Sequence, residues 1–198
     1  MLGEVVSELY RVGIIKFGEF TLASGKKSPY YFDFRVLPSY PRLYSKVIEL
    51  WISRLNELNM PIECIVGIAS AGIVHAAILG YLMKKPIGYV RAERKDHGTS
   101  KLVEGLINGK VLMVDDVATT GGTLRRAYNA IKDVGAEVIA FTVILDREEG
   151  AESVSRELNI KFVPLMSASQ VFKLLRDNSL ISDGIYNEVI KYLKGGLM

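Results

Sequence analysis

Cysteine is almost missing from this 198-residue chain, where Cys64 stands alone. That excludes an internal disulfide and a four-cysteine zinc site, and it fits a reducing compartment. Charge of one sign is also lacking. Lys and Arg total 25 against 22 Asp and Glu, a formal net charge of +3. So slight a balance gives no reason to expect a nucleic-acid partner. No internal repeat, low-complexity tract or long linker is present. The first apolar segment carries Glu4, Glu8 and Arg11, which does not suit a signal peptide. A single long apolar run, Cys64 to Met83, lacks formal charge and has the length to span a bilayer. Its interior argues against that. Ile65 and Val66 precede Gly67, Ser70 and Gly72 follow, His75 is polar at mid-span, and Ile73, Leu79, Tyr81 and Leu82 have helical character. Strand, glycine turn and buried helix explain the same residues without a membrane.

What is present is the composition of a folded protein. With 49% hydrophobic and 24% charged residues, wholesale disorder is excluded. The length predicts one domain that buries a core. A short amphipathic helix is expected over 2–12 through Val5, Val6 and Leu9, stopped by Gly13. Ile14 to Asp33 is strand-like but broken at Ser24-Gly25 and Ser28-Pro29, which is hairpin material or a closing loop. Leu43, Val47, Leu50, Trp51, Leu55 and Leu58 predict a helix from about Tyr40 to Asn59. Strands then alternate with helices. Strands are expected at Ile65–Ile68, Ile87–Val90, Lys110–Val114, Val138–Leu145 and Phe162–Leu165. Helices are expected at Gly72–Met83, through Leu124, Ala127, Ile131 and Val134 up to Gly135, after the capping-box spacing Ser167-x-x-Gln170, and through Ile185, Val189, Ile190 and Leu193. Such alternation means an α/β fold whose parallel sheet is covered on both faces. Ligands of such sheets sit beyond the carboxyl ends of the strands.

There the chain reads KVLMVDDVATTGGTL, Lys110 to Leu124. A buried strand delivers Asp115 and Asp116. Thr119-Thr120-Gly121-Gly122-Thr123 then leads into a helix. Glycines let backbone N–H groups converge, threonine hydroxyls add donors, and a helix N-terminus adds partial positive charge. This is a phosphate cradle. The acids beside it would repel a bare phosphate, and make sense if they hold sugar hydroxyls or a magnesium-bound substrate. No lysine follows the glycines as a Walker A loop requires, and the dinucleotide fingerprint GxGxxG is absent. The plain alternative, an N-cap and turn, explains the glycines but not the acid pair. A second polar stretch, VRAERKDHGTSKLVEG from Val90 to Gly105, gathers Arg91, Arg94, Lys95 and His97. It reads either as a solvated loop or as a lid bringing cations to a polyanion.

VLMVDDVATTGGT resembles the phosphoribosyl pyrophosphate (PRPP) motif of the type I phosphoribosyltransferases. The polar stretch is similar to the catalytic loop of the orotate phosphoribosyltransferase family, with Arg91, Lys95 and His97 at its basic positions. Ser24 to Asp33 resembles that family's pyrimidine-facing segment, and Ala69 to Ala76 its short loop near the pyrophosphate. The likeness runs from about residue 15 to 165. It implies a mostly parallel central sheet flanked by helices, with a small N-terminal hood formed by about 1–38 and part of the C-terminus. It also implies transfer of ribose 5-phosphate from PRPP to orotate in UMP synthesis. By position, Lys95, Arg91 and His97 would be catalytic. Asp115, Asp116, Val117, Ala118, Thr119, Thr120, Gly121, Gly122 and Thr123 would bind PRPP. Thr119, Arg147, Tyr31 and Phe32 would meet orotate. Magnesium would be held mainly through PRPP and water rather than by the protein.

The family also implies a cytoplasmic homodimer whose lid serves the neighbouring subunit. Ala23, Ala71 and Ala92 stand where one branch of the family has lysines, so they are assigned no ligand role. His75 reads as a buried core histidine. Arg147 suits a carboxylate through its bidentate fork. Its plain alternative is a strand-end surface arginine paired by Glu148 or Glu149. Two other functions stay open: a regulator that binds PRPP without catalysis, and transfer to another base.

Overall fold

The computed structural model describes residues 1–21, 25–93 and 102–195. The chain forms two compact units, 1–50 with 166–198, and 51–165.

In the first unit, α1 (Leu2–Arg11) buries Val5, Val6 and Leu9, and Gly13 turns the chain at φ 76°. The expected hairpin forms from β1 (Ile15–Thr21) and β2 (Lys27–Phe32), antiparallel from Ile15↔Phe32 to Thr21↔Lys27. Alternation sends Ser28, Tyr30 and Phe32 inward. A 3-10 turn over Phe34–Ser39, which the sequence pattern does not announce, buries Phe34 and Leu37. Helix α6 (Ala168–Asp177) contributes Phe172, whose ring lies 4.8 Å from Tyr30 and 5.8 Å from Phe32. Offset and edge-on aromatic pairs of this kind add to simple area burial. The predicted cap of α6 is present, since Ser167 Oγ accepts from the Gln170 amide at 3.3 Å. Helix α7 (Asp183–Gly195) buries Val189 and Leu193.

Helix α2 (Pro41–Glu57) runs into the second unit, whose centre is a six-stranded sheet. Its strands are β3 (Cys64–Ile68), β4 (Ile87–Val90), β5 (Val103–Glu104), β6 (Lys110–Ala118), β7 (Glu137–Asp146) and β8 (Lys161–Ser167), in the order β5-β4-β3-β6-β7-β8. β3 pairs parallel with β4 and β6, β6 pairs parallel with β7, and β5 runs antiparallel to β4. All five residues of β3 are buried, as a central parallel strand requires. The long apolar run is β3 followed by α3 (Ala71–Met83), as expected. Among the described residues no helix is long and apolar enough to cross a membrane. α4 (Gly122–Asp133) and α5 (Ala151–Glu157) complete the unit.

Three differences from the sequence expectation matter. β5 lies inside a stretch read as polar loop, because Val103 buries its side chain against the sheet edge. α5 is unannounced, being short and polar. β6 continues through the two aspartates to Ala118 instead of stopping at Val114. β3 pairs with β6 only as far as Gly67↔Val114, while β7 accompanies it to Ala118↔Asp146. Beyond Val114 the strand is thus supported on one side and open on the other.

Candidate active site

The open end of β6 carries the acid pair. Asp115 Oδ1 accepts from the Asp116 amide, and Asp116 Oδ1 from the Val117 amide, each at 2.9 Å. The Gly72 amide at the start of α3 also donates to Asp115. A Cβ on Gly72 would lie 2.4 Å from the Val114 carbonyl oxygen and 3.1 Å from Asp115 Oδ1, so this approach is open only to glycine. Burial, and then the charge of Asp116, hold the Asp115 carboxyl well above the usual carboxylate range. Two carboxylates so close resist joint ionisation, and hydroxyl donors from a ligand would relieve that.

The cradle follows. Thr119, Thr120, Gly122 and Thr123 are exposed, and Gly121 is buried. Gly121 takes φ 84° as the N-cap of α4. A Cβ there would meet Val154 Cγ2 at 2.7 Å, so packing against α5 also requires glycine. The amides opening α4 are the free donors of a helix N-terminus. Val117 is half-buried and Ala118 buried, so their side chains are turned from solvent.

β7 ends beside this loop and delivers Arg147. The Arg147 amide donates to the Ala118 carbonyl at 2.9 Å, and the Ala151 amide to Thr119 O at 3.0 Å. The Arg147 side chain is 5% exposed; its Nε donates to Glu149 Oε1 at 2.9 Å, and its Nη2 lies 2.9 Å from the same oxygen. The pairing read from sequence is present, but a buried guanidinium is no surface arginine. Asp146 Oδ1 accepts from the Glu148 amide at 2.9 Å. Burial, with Glu148, Glu152 and Glu149 nearby, pushes the Asp146 carboxyl up to about 6. One sheet end therefore joins a carboxylate pair, a phosphate-type helix start and a buried arginine.

The profile of the phosphoribosyl transferase domain matches residues 38–166. An orotate phosphoribosyltransferase of Staphylothermus marinus is 46% identical over 98% of this chain and 95% of its own. The chain belongs to the orotate phosphoribosyltransferase family. Solved structures agree. Orotate phosphoribosyltransferase from Aeropyrum pernix has a TM-score of 0.78 at 32% identity, covering 92% of this chain and 100% of that one. UMP synthase of Leishmania donovani has a TM-score of 0.86 at 28% identity, covering 98% of this chain and 42% of that one. The type I phosphoribosyltransferase fold expected from the motif is the fold observed.

Of this family's basic loop, Lys95 and His97 lie outside the described residues. Arg91 follows β4, two strand places from β6, about 10 Å across the sheet. Its Nε donates to Glu104 at 2.8 Å and its amide to Leu102 O at 2.9 Å. No local pattern reveals Glu104; the partnership exists only because β5 folds back on β4. Tyr31 and Phe32 belong to the other unit, and the hairpin sends them opposite ways. Phe32 is 6% exposed among Tyr30, Phe34 and Phe172, so its ring is committed to packing. Tyr31 is half-buried, 5.5 Å from Phe20, with Arg35 Nη2 donating to its hydroxyl at 2.7 Å. His75 is the expected core histidine: it is 1% exposed, 5.9 Å from the Trp51 ring, and burial lowers it to about 4.

Proposed function

We propose that this chain transfers ribose 5-phosphate from PRPP to N1 of orotate, giving orotidine 5′-monophosphate and pyrophosphate in pyrimidine synthesis. The observation that carries this is the stitch between two loops. The Asp115–Thr123 segment is bonded through backbone to the turn that holds buried Arg147. A ribose phosphate held by the first segment thus lies beside a cation suited to the orotate carboxylate.

Asp115 and Asp116 accept from the ribose hydroxyls and fix the ring. Thr119 to Thr123 and the start of α4 receive the 5′-phosphate. The C1–O bond to pyrophosphate breaks as the C1–N1 bond forms, through an oxocarbenium-like ribose, and the N1 proton passes to water or to the departing pyrophosphate. Charge accumulates on the leaving group, which Lys95, His97 and Arg91 neutralise. Arg147 and the Thr119 hydroxyl orient orotate. The hard carboxylate oxygens of Asp115 and Asp116 suit magnesium, held through water and PRPP. When bound, it offsets pyrophosphate charge. A cytoplasmic homodimer with the lid serving the neighbouring subunit completes the reading.

The test follows orotate ultraviolet absorbance with PRPP, with and without magnesium, beside Lys95→Ala. Magnesium-dependent loss is expected, with kcat of the variant lower by about 10²–10³. An unchanged kcat in Lys95→Ala would refute the role of the basic loop. No orotate loss, with PRPP still binding in calorimetry, would replace this reading with another base or a regulator.

A further inference from the structure

We propose that Glu149 is a positioning residue for the acceptor side of the site, setting the plane of the Arg147 guanidinium before orotate arrives. The proposal rests on the reading of Arg147 as the orotate contact.

A guanidinium at 5% exposure needs a compensating charge, and Glu149, itself 17% exposed, supplies it. The contact is edge-on. Nε and Nη2 both point at one oxygen, Oε1. This fixes the plane in which the guanidinium can meet a substrate carboxylate. The turn makes the pairing possible. Glu148 takes φ 60° and Gly150 φ 127°, and the Glu148 amide is fastened to Asp146. With the amides of 147 and 151 bonded to Ala118 and Thr119, both ends of the turn are fixed to the phosphate loop. Residues 147 and 149 thus face each other over a rigid three-residue span. Without Glu149 the guanidinium loses the carboxylate oxygen that fixes its plane, and it is freer to turn. The consequence falls on orotate and not on PRPP.

The test is steady-state kinetics on the full chain, varying orotate and PRPP separately, for wild type, Glu149→Ala, Glu149→Gln, Arg147→Ala and the double alanine variant. Glu149→Ala is expected to raise the orotate KM about 10–100-fold, with kcat and the PRPP KM within about twofold. Glu149→Gln keeps an acceptor oxygen and should fall between it and wild type. In the Arg147→Ala background, Glu149→Ala should add nothing, since its effect runs through the arginine. Additive effects, equal rises in both KM values, or an unchanged orotate KM would overturn the role of Glu149 alone. If Arg147→Ala leaves the orotate KM unchanged, or no chain turns orotate over, the reading of Arg147 falls and this proposal with it. PRPP KM doubles as the folding control, because its loop shares the same backbone bonds.

Discussion

Gly72 and Asp146 show how single residues near the sheet end set its properties. At Gly72 the obstacle to a side chain is backbone, the Val114 carbonyl, which has no room to yield. Gly72→Ala is therefore expected to cost about 1–3 kcal/mol in urea unfolding, and to weaken PRPP binding by displacing Asp115. Asp146 has a different signature. Its folded value of about 6 exceeds the ordinary carboxylate value, so the folded state holds its proton longer than the unfolded one. Ionising it costs stability as pH rises from about 4 to 6, and the cost is constant above that. His75 works in the opposite sense. Lowered to about 4, it stays neutral where the unfolded imidazole charges, so stability falls as pH drops below about 6.5. Asp146→Asn removes only the first slope. The variant should match wild type near pH 4 and gain on it up to pH 6, as measured by urea midpoints across pH.

At the level of elements, β7 is the tie between neighbours within its unit. Thr142, fully buried, accepts from Trp51 Nε1 of α2 at 2.6 Å and donates to the Val163 carbonyl of β8 at 2.6 Å. Thr142→Val keeps the shape and strands a donor and an acceptor in the core. The expected loss is about 1–3 kcal/mol per stranded group, read from chemical denaturation. Five of the six sheet strands were legible in the sequence because each is a short apolar run between turn residues, as was the passage from strand through glycine turn to helix over 115–123; β5, two residues in a polar stretch, was not. What was not legible is non-local. The end of β6 depends on where β3 stops, and the pairing of Arg91 with Glu104 depends on β5 folding back on β4. Arg147 beside two glutamates does suggest a pair in sequence, but not its burial, which comes from the turn around it. Tyr31 and Phe32 look equivalent as neighbours, and only the hairpin's alternation sends Phe32 into the core and leaves Tyr31 half-buried on the other face.

For the whole molecule, α3 poses a question of solvent. It buries Gly72, His75, Ala76, Leu79 and Gly80, yet its other side exposes Val74, Tyr81 and Leu82, the last two at 80% and 51%. A helix apolar on both sides is stable in water when something covers it, which supports the proposed homodimer. Mixing Lys95→Ala chains with Asp116→Asn chains should then restore part of the activity through hybrid dimers that hold one intact shared site. No recovery after verified subunit exchange would refute shared sites. The backbone bonds from Arg147 to Ala118 and from Ala151 to Thr119 have a separate meaning for redesign. Acceptor choice in this enzyme family invites loop grafting, but the 147–151 turn, which the proposal above assigns to the base, is not a removable cassette. A transplanted turn must present amide donors at positions 147 and 151, which bars proline from both. A graft lacking them would alter sugar-phosphate binding together with the base preference it was meant to change.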